Sequence, residues 1–200
     1  GGPWGHYATE VTRLLNAMGV TVIGQFPGYM KLEDLPKVTS AEAMVVLGGK
    51  GNTHNGLENL TKVLQEKFGF KYLQDIYPVG WERTQQWILE MGKLLNCEEQ
   101  AQAVLADEQL AMAKSLERFL KVTKDKKTTL CIGRWLMYFH PESMLGVVKN
   151  LQLDLRGIVL LDALEAGYFE EMLATLRKYT DVLICSNLDG EKLLQEADVV

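Results

Sequence analysis

The sequence predicts an α/β protein made of doubly wound, parallel-sheet units of the Rossmann-like kind, with helices on both faces. Segments in which apolar residues recur at helical spacing alternate along the chain with short apolar runs of strand length. A glycine twice separates the end of a helical segment from such a run, at Gly19 and at Gly69. Strands that alternate with helices favour a parallel sheet with right-handed crossovers.

The first part of the chain predicts three helices and three strands. They are, in order, a helix ending at Met18, a strand over Val20–Gln25, a short helix around Leu32–Val38, a strand over Ala43–Leu47, a helix from Asn55 and a strand over Phe70–Leu73. Asn55 is followed three residues later by Glu58, which is a variant of the capping box at a helix start. We therefore expect residues 1–80 to form one Rossmann-like domain.

The remaining residues predict a helical pair and then a second α/β unit. The helices cover Thr84–Leu95 and, with Asn96 and Glu99 as its cap, a segment reaching about Val122. Predicted strands over Thr128–Ile132, Ile158–Leu161 and Val182–Cys185 alternate with helices over Pro141–Asn150, over Phe169–Leu176 and from near Asp189. We therefore expect a connector over 81–127 and a partial second Rossmann-like domain over 128–200.

The composition, net charge and cysteine spacing of the chain argue against several classes of function. The 200 residues are 47% hydrophobic and 24% charged with a formal net charge of -5, which gives no electrostatic footprint for nucleic acid. The apolar runs are too short to span a bilayer, so we expect a cytoplasmic protein without a membrane partner. The three cysteines lie far apart and form no metal-binding motif, so the sequence predicts no metal site. The chain starts without methionine, and we expect it to be part of a longer protein.

The glycine-rich loop Gly48–Asn55 is one candidate binding site. Gly48 and Gly49 allow the backbone to approach a ligand closely, and Asn52 lies just before a predicted helix start that favours an anion. Lys50 adds a positive charge, and His54 is a group that titrates near neutral pH. The order of residues matches neither a P-loop nor a dinucleotide fingerprint. The alternative is that the glycines serve only the turn.

Arg134 is the second candidate. It follows Gly133 directly after a predicted strand, and ligands of open parallel sheets bind beyond the carboxyl ends of the strands. A guanidinium group at that place could bind an anionic group. The alternative is that Arg134 pairs with a surface carboxylate.

Several segments resemble, in chain order, the α-subunit pattern of the nitrogenase component 1 and nitrogenase-like oxidoreductase family. They are Gly2-Pro3-Trp4 with Leu15–Val22, Lys62–Tyr72, Pro78-Val79-Gly80 with the helix after it, Leu130–Gly133, Asp162–Glu171 and Thr180–Ser186. The resemblance covers nearly the whole chain. It implies a middle domain and part of a last domain, a paired homologous subunit, and electrons from an ATP-dependent iron–sulfur reductase.

One departure from the family pattern bears on chemistry. The resemblance places the cysteine that ligates the nitrogenase cofactor where this chain has Gly48-Gly49, so we do not expect dinitrogen reduction. No cofactor is expected in the chain itself, although the full-length parent could carry an iron–sulfur cluster, and the chain alone is expected to be inactive.

Three interpretations follow. In the first, the parent reduces another substrate whose carboxylates bind Lys50 and Arg134, with His54 as the proton donor. The second is a scaffold for cofactor assembly or small-molecule binding without catalysis. The third is an interaction domain whose glycine loop is only structural.

Overall fold

The computed structural model describes residues 5–25, 30–46, 52–74, 76–133, 142–161, 168–186 and 189–200. Its contacts divide the chain into two units. The first comprises Gly1–Gly48, Asn52–Pro78 and Glu82–Leu110, and the second comprises Gly49–Gly51, Val79–Trp81 and Ala111–Val200. The connector predicted over 81–127 is therefore shared between the units, and the three-part division of the chain stays a prediction.

The helices of the first unit follow the predicted apolar patterns. They are α1 (Gly5–Ala17), a 3-10 turn (Leu32–Asp34) that continues into α2 (Leu35–Val38), α3 (Asn52–Phe68), α4 (Trp81–Leu95) and α5 (Glu98–Thr123), whose second half belongs to the second unit. Gly19 and Gly69 follow α1 and α3 with φ of +79° and +76°. Glycine adopts this left-handed conformation without steric strain, so the two predicted helix stops are confirmed.

The core of the first unit joins α1, α4 and α5. Its buried residues are Val11, Leu14, Leu15, Met18, Trp87, Ile88, Met91, Ala101 and Val104. A Cβ atom added at Gly92 of α4 would lie 2.5 Å from Cβ of Ala101 in α5, so the glycine permits the close approach of these helices. At the surface, Arg13 of α1 donates two hydrogen bonds to the Glu108 carboxylate of α5, of 2.7 and 3.0 Å.

The strands predicted for the first unit are mostly wrong. Val20–Gln25 forms no strand, and the segments over Ala43–Leu47 and Phe70–Leu73 are reduced to one parallel bridge between Ala43 and Lys71, with Leu47 outside the described residues. Val20 and Val22 pack against the helical core as a strand face would. The apolar residues of this segment therefore specify a buried face, which does not by itself specify a backbone partner.

Two predicted helix caps are also wrong. Helix α3 begins at Asn52, so Asn55 lies inside it and cannot be its cap. Asn96 has a φ of +54° and follows the last residue of α4, while α5 begins only at Glu98. The Cys97 N–H donates to the Gly92 carbonyl over 2.8 Å, which closes the end of α4. Asparagine tolerates the left-handed conformation that ends a helix, so Asn96 terminates α4 and does not cap α5.

The second unit holds a parallel sheet. Its elements are β1 (Lys127–Ile132), α6 (Glu142–Asn150), β2 (Asp154–Leu160), α7 (Tyr168–Leu176), β3 (Leu183–Ser186) and α8 (Glu191–Gln195). The strands lie in the order β1–β2–β3, and both pairings are parallel. The alternation of strands and helices predicted for this region is confirmed.

Beyond α8 the chain returns to β1. Val199 forms a parallel bridge with Thr128, and its carbonyl accepts a hydrogen bond of 3.1 Å from the Thr129 N–H. Because β2 already occupies one edge of β1, Val199 must lie on the other edge. The resulting order, β3–β2–β1–Val199, is the reversal of direction that defines a doubly wound sheet.

Helices cover both faces of this sheet, as predicted. On one face, Ile158 and Leu160 of β2 pack with Met172 and Leu176 of α7 in a buried cluster. Helix α8 lies against the opposite face. A Cβ atom added at Gly157 of β2 would lie only 2.5 Å from Cδ1 of Leu193 in α8. The glycine therefore allows α8 to lie close against the middle strand.

Candidate functional site

The carboxyl edge of the second unit's sheet is the candidate site. The three parallel strands end there at Ile132, Leu160 and Ser186. The strand order reverses between β1 and Val199, and doubly wound sheets bind ligands at the carboxyl ends of strands beside such a reversal. Gly133, half-buried, is the first residue after β1 and therefore stands at this position.

The predicted ligand-binding residue at this edge is Arg134, the neighbour of Gly133 in sequence. Arg134 and the residues that follow it up to 141 lie outside the described residues. The described structure thus gives the position from which this loop leaves the sheet, and the role of Arg134 stays a prediction.

Ser186 and Asp189 form a polar contact at the end of β3. Ser186 Oγ donates a hydrogen bond of 3.0 Å to Oδ2 of Asp189, whose N–H donates to the Ser186 carbonyl over 3.2 Å. The turn leads to Gly190, where an added Cβ would lie 2.7 Å from Cγ2 of Val159. A serine and an aspartate around a strand end are typical of such turns.

The glycine-loop candidates belong to the first part of the chain. Asn52 is the first residue of α3 and His54 lies in its first turn, but their side chains are not described. Gly48, Gly49 and Lys50 lie outside the described residues. Nothing in the described structure brings these residues together with Arg134, and their binding and catalytic roles stay predictions.

Two of the three cysteines share one row of the sheet. Cys131 of β1 pairs in register with Val159, which pairs with Cys185 of β3. Two strand spacings put their Cα atoms roughly 10 Å apart, whereas a disulfide needs Cα atoms within about 7 Å. The fold therefore keeps these thiols as free cysteines.

Burial raises the pKa of the Cys131 thiol. Burial, followed by the Asp189 carboxylate and Cys131, raises the pKa of Cys185. For Cys97 the causes are burial and then the Glu98 carboxylate. A raised pKa leaves little thiolate at neutral pH, and the thiolate is the form that attacks electrophiles and binds metals.

We expect all three cysteines to react slowly with iodoacetamide at pH 7 in the folded chain and rapidly after unfolding in urea, because folding suppresses the thiolate. The fold favours the neutral form of the thiol. This preference stabilises the folded state fully below the ordinary thiol pKa of 9.0, and the stabilisation is lost as the pH rises through the raised pKa of the folded state. Mass spectrometry of labelled peptides measures the rates. Labelling of folded Cys185 as fast as in urea would contradict the buried environment.

No group of three or more histidine, cysteine, aspartate or glutamate side chains among the described residues could hold a metal ion. No helix in the described segments is both long enough and apolar enough to cross a bilayer.

Comparisons with known proteins agree with this architecture. The family model described as nitrogenase component 1 type oxidoreductase matches residues 3–198. A solved chain described as "Nitrogenase Cp1 at pH 5" is 18% identical, with a TM-score of 0.60 over 78% of this chain and 30% of that chain. A second, "Nitrogenase Cp1 at pH 6.5", is 16% identical, with a TM-score of 0.60 over 98% of this chain and 39% of that chain.

These two structural likenesses, at their low identity, support the fold. No curated protein matches the sequence significantly. The chain spans about a third of the length of the two solved nitrogenase chains. Because the family model covers nearly all of its residues, the chain belongs to the nitrogenase component 1 type oxidoreductase family.

Proposed function

We propose that the whole protein of which this chain is a part is an oxidoreductase subunit of the component 1 type that reduces a substrate other than dinitrogen. The family match over residues 3–198 carries this proposal. On the basis of the same family match, we propose that the subunit pairs with a homologous subunit in the cytoplasm and receives electrons from an ATP-dependent iron–sulfur reductase. The 200-residue chain alone has no activity in this proposal, because it spans only 30% and 39% of the similar solved chains.

The exclusion of dinitrogen rests on Gly48 and Gly49. They stand where the family resemblance places a cofactor-ligating cysteine, and a glycine has no side chain that could replace a thiolate. Among the described residues, no group of three or more histidine, cysteine, aspartate or glutamate side chains could hold a metal ion, so these residues by themselves do not form a cluster site.

The proposed ligand site is the carboxyl edge beside β1. Gly133 stands where the strand order reverses, and Arg134 is its neighbour in sequence. A guanidinium group binds a carboxylate through two parallel hydrogen bonds, so Arg134 would select an anionic substrate. Lys50 and Asn52, with the backbone of Gly48 and Gly49, would bind a second anionic group, and His54 would donate a proton to the reduced product.

Binding of a porphyrin with free carboxylates, compared with its methyl ester, tests this site in the whole protein. We expect Arg134→Gln and Lys50→Gln each to weaken binding of the acid roughly tenfold, as a lost charge-assisted hydrogen bond does, and to leave the ester unchanged. Arg177→Gln is the matched control, because Arg177 donates to the carbonyl of Val182 at the opposite end of β3. Equal loss for acid and ester, or no loss at all, would refute the carboxylate-binding role.

The second candidate is a cofactor-assembly scaffold or binding module without catalysis. The glycine pair in place of the cysteine favours it, because a protein that only carries a ligand and passes it on benefits from weaker attachment. The two candidates differ in redox content. A scaffold accepts no electrons from a reductase in the absence of its cargo, whereas a reducing subunit does.

A further inference from the structure

A basic segment interrupts an otherwise acidic chain. Residues 114–127 contain six lysine or arginine side chains and two acidic ones, Glu117 and Asp125. The segment thus carries a net charge of +4 in a chain whose net charge is -5, which leaves -9 on the remaining residues. The six basic residues are Lys114, Arg118, Lys121, Lys124, Lys126 and Lys127. A reversal of sign this local indicates a surface for an anionic partner.

All six basic side chains of this segment are exposed to solvent. In the part of the chain that the structure describes, none of them forms an ion pair. Several cations elsewhere in the described residues are paired, for example Arg13 with Glu108 and Lys71 with Glu42. The positive charge of the segment is therefore not neutralised within the described fold.

Two large apolar side chains lie beside the cations. Phe119 is 53% exposed and Val122 is 66% exposed. They follow Ala101 and Val104 by eighteen residues, which is about five helical turns, so they continue the face of α5 that is buried near its start. The apolar face of α5 therefore continues from the part that is buried in the first unit into the second half of the helix, where it is exposed.

Two acidic groups near the start of β1 are already engaged. The Asp154 carboxylate pairs with Arg156, and Asp198 accepts a hydrogen bond of 3.0 Å from the Lys127 N–H. Since Lys127 is the first residue of β1, this surface begins at the amino edge of the sheet, away from the proposed ligand site after Gly133. The two surfaces can therefore be occupied at the same time.

We propose that the second half of α5 and the turn after it, residues 111–127, bind an acidic face of a partner protein with an apolar centre. Phe119 and Val122 supply the contact that excludes water, and the surrounding cations select a negatively charged partner. A protein fits better than a lipid bilayer or a nucleic acid, because the apolar area is small, Glu117 and Asp125 interrupt the cations, and the rest of the chain is acidic.

The test uses two synthetic amphipathic helical peptides with the same leucine seam, one flanked by glutamates and one by lysines. Fluorescence anisotropy measures their binding to the full 200-residue chain. We expect the glutamate peptide alone to bind, with an affinity that falls at higher salt. The triple variant Lys114→Glu, Arg118→Glu, Lys121→Glu should weaken binding of the glutamate peptide at least roughly tenfold. The variant Phe119→Ser should weaken binding of this peptide by a similar factor and leave the salt dependence of binding unchanged.

The matched control reverses three exposed lysines elsewhere, Lys31→Glu, Lys67→Glu and Lys192→Glu, with the same change in net charge. It should bind the glutamate peptide within about twofold of the parent chain, and circular dichroism verifies that every variant is folded. Equal loss in control and test variants would overturn the proposal. So would binding of both peptides, tighter binding to phosphatidylserine vesicles, or a self-association that the triple variant abolishes.

Discussion

Replacing Trp87 with alanine should lower the free energy of unfolding by about 3–5 kcal/mol, as truncation of a buried aromatic side chain does. Trp87 is 1% exposed and lies among the buried residues of α1, α4 and α5. The lost contacts and the cavity left behind both destabilise the fold. Urea unfolding followed by circular dichroism measures the change, and hydrogen exchange should locate the lost protection in α1, α4 and the first half of α5.

Phe68→Ala is the matched aromatic truncation. Phe68 is 40% exposed and stacks on Phe70 with ring centroids 5.6 Å apart, so its removal leaves no closed cavity. We expect a loss of about 1 kcal/mol, near that of an aromatic pair at a surface. Equal effects for Phe68 and Trp87 would contradict the core described for the first unit.

Replacing Ile158 with alanine should destabilise the second unit by about 2–5 kcal/mol. Ile158 is fully buried in the middle strand and packs in the cluster formed with Met172 and Leu176 of α7. Its backbone is paired on both sides, with Leu130 and Ile184, so loosening it should also weaken exchange protection in β1 and β3. Thermal unfolding of the variant measures the loss of stability.

Leu183→Ala in β3 is the control for Ile158, because Leu183 is 56% exposed at the start of that strand. Its truncation should cost less than about 1 kcal/mol, as expected for a site that solvent already reaches. If the two variants unfolded at the same temperature, the assignment of β2 to the centre of the sheet would be wrong.

The helices and the sheet of the second unit could be predicted from sequence because their signals are local. Leu14, Leu15 and Met18 mark the buried face of α1, and the apolar run at Ile158 marks a strand covered on both faces. The strands of the first unit could mostly not be predicted from sequence. Val20 and Val22 alternate as a strand does, but pairing depends on a distant backbone that the pattern does not specify. Asn96 illustrates a second limit, because asparagine favours both the start and the end of a helix.

The candidate site was predictable in part. The sequence predicts a strand that ends at Ile132 before Gly133, and the parallel sheet confirms that strand, whereas ligand binding after it stays a prediction. The reversal of strand order was not predictable, because it rests on the pairing of the single residue Val199 with Thr128. The basic surface at residues 114–127 could not be recognised from the sequence, since composition alone shows neither the pairing nor the exposure of its cations.

The central claim is that the whole protein is a reducing subunit of the component 1 type. The most direct measurement is iron and acid-labile sulfide analysis of the full-length protein after anaerobic purification, together with its absorption spectrum. We predict stoichiometric iron and sulfide, with a cluster absorption band that bleaches when the reduced ATP-dependent reductase is added together with ATP. A folded protein without iron under these conditions would contradict it and would leave a scaffold or binding module.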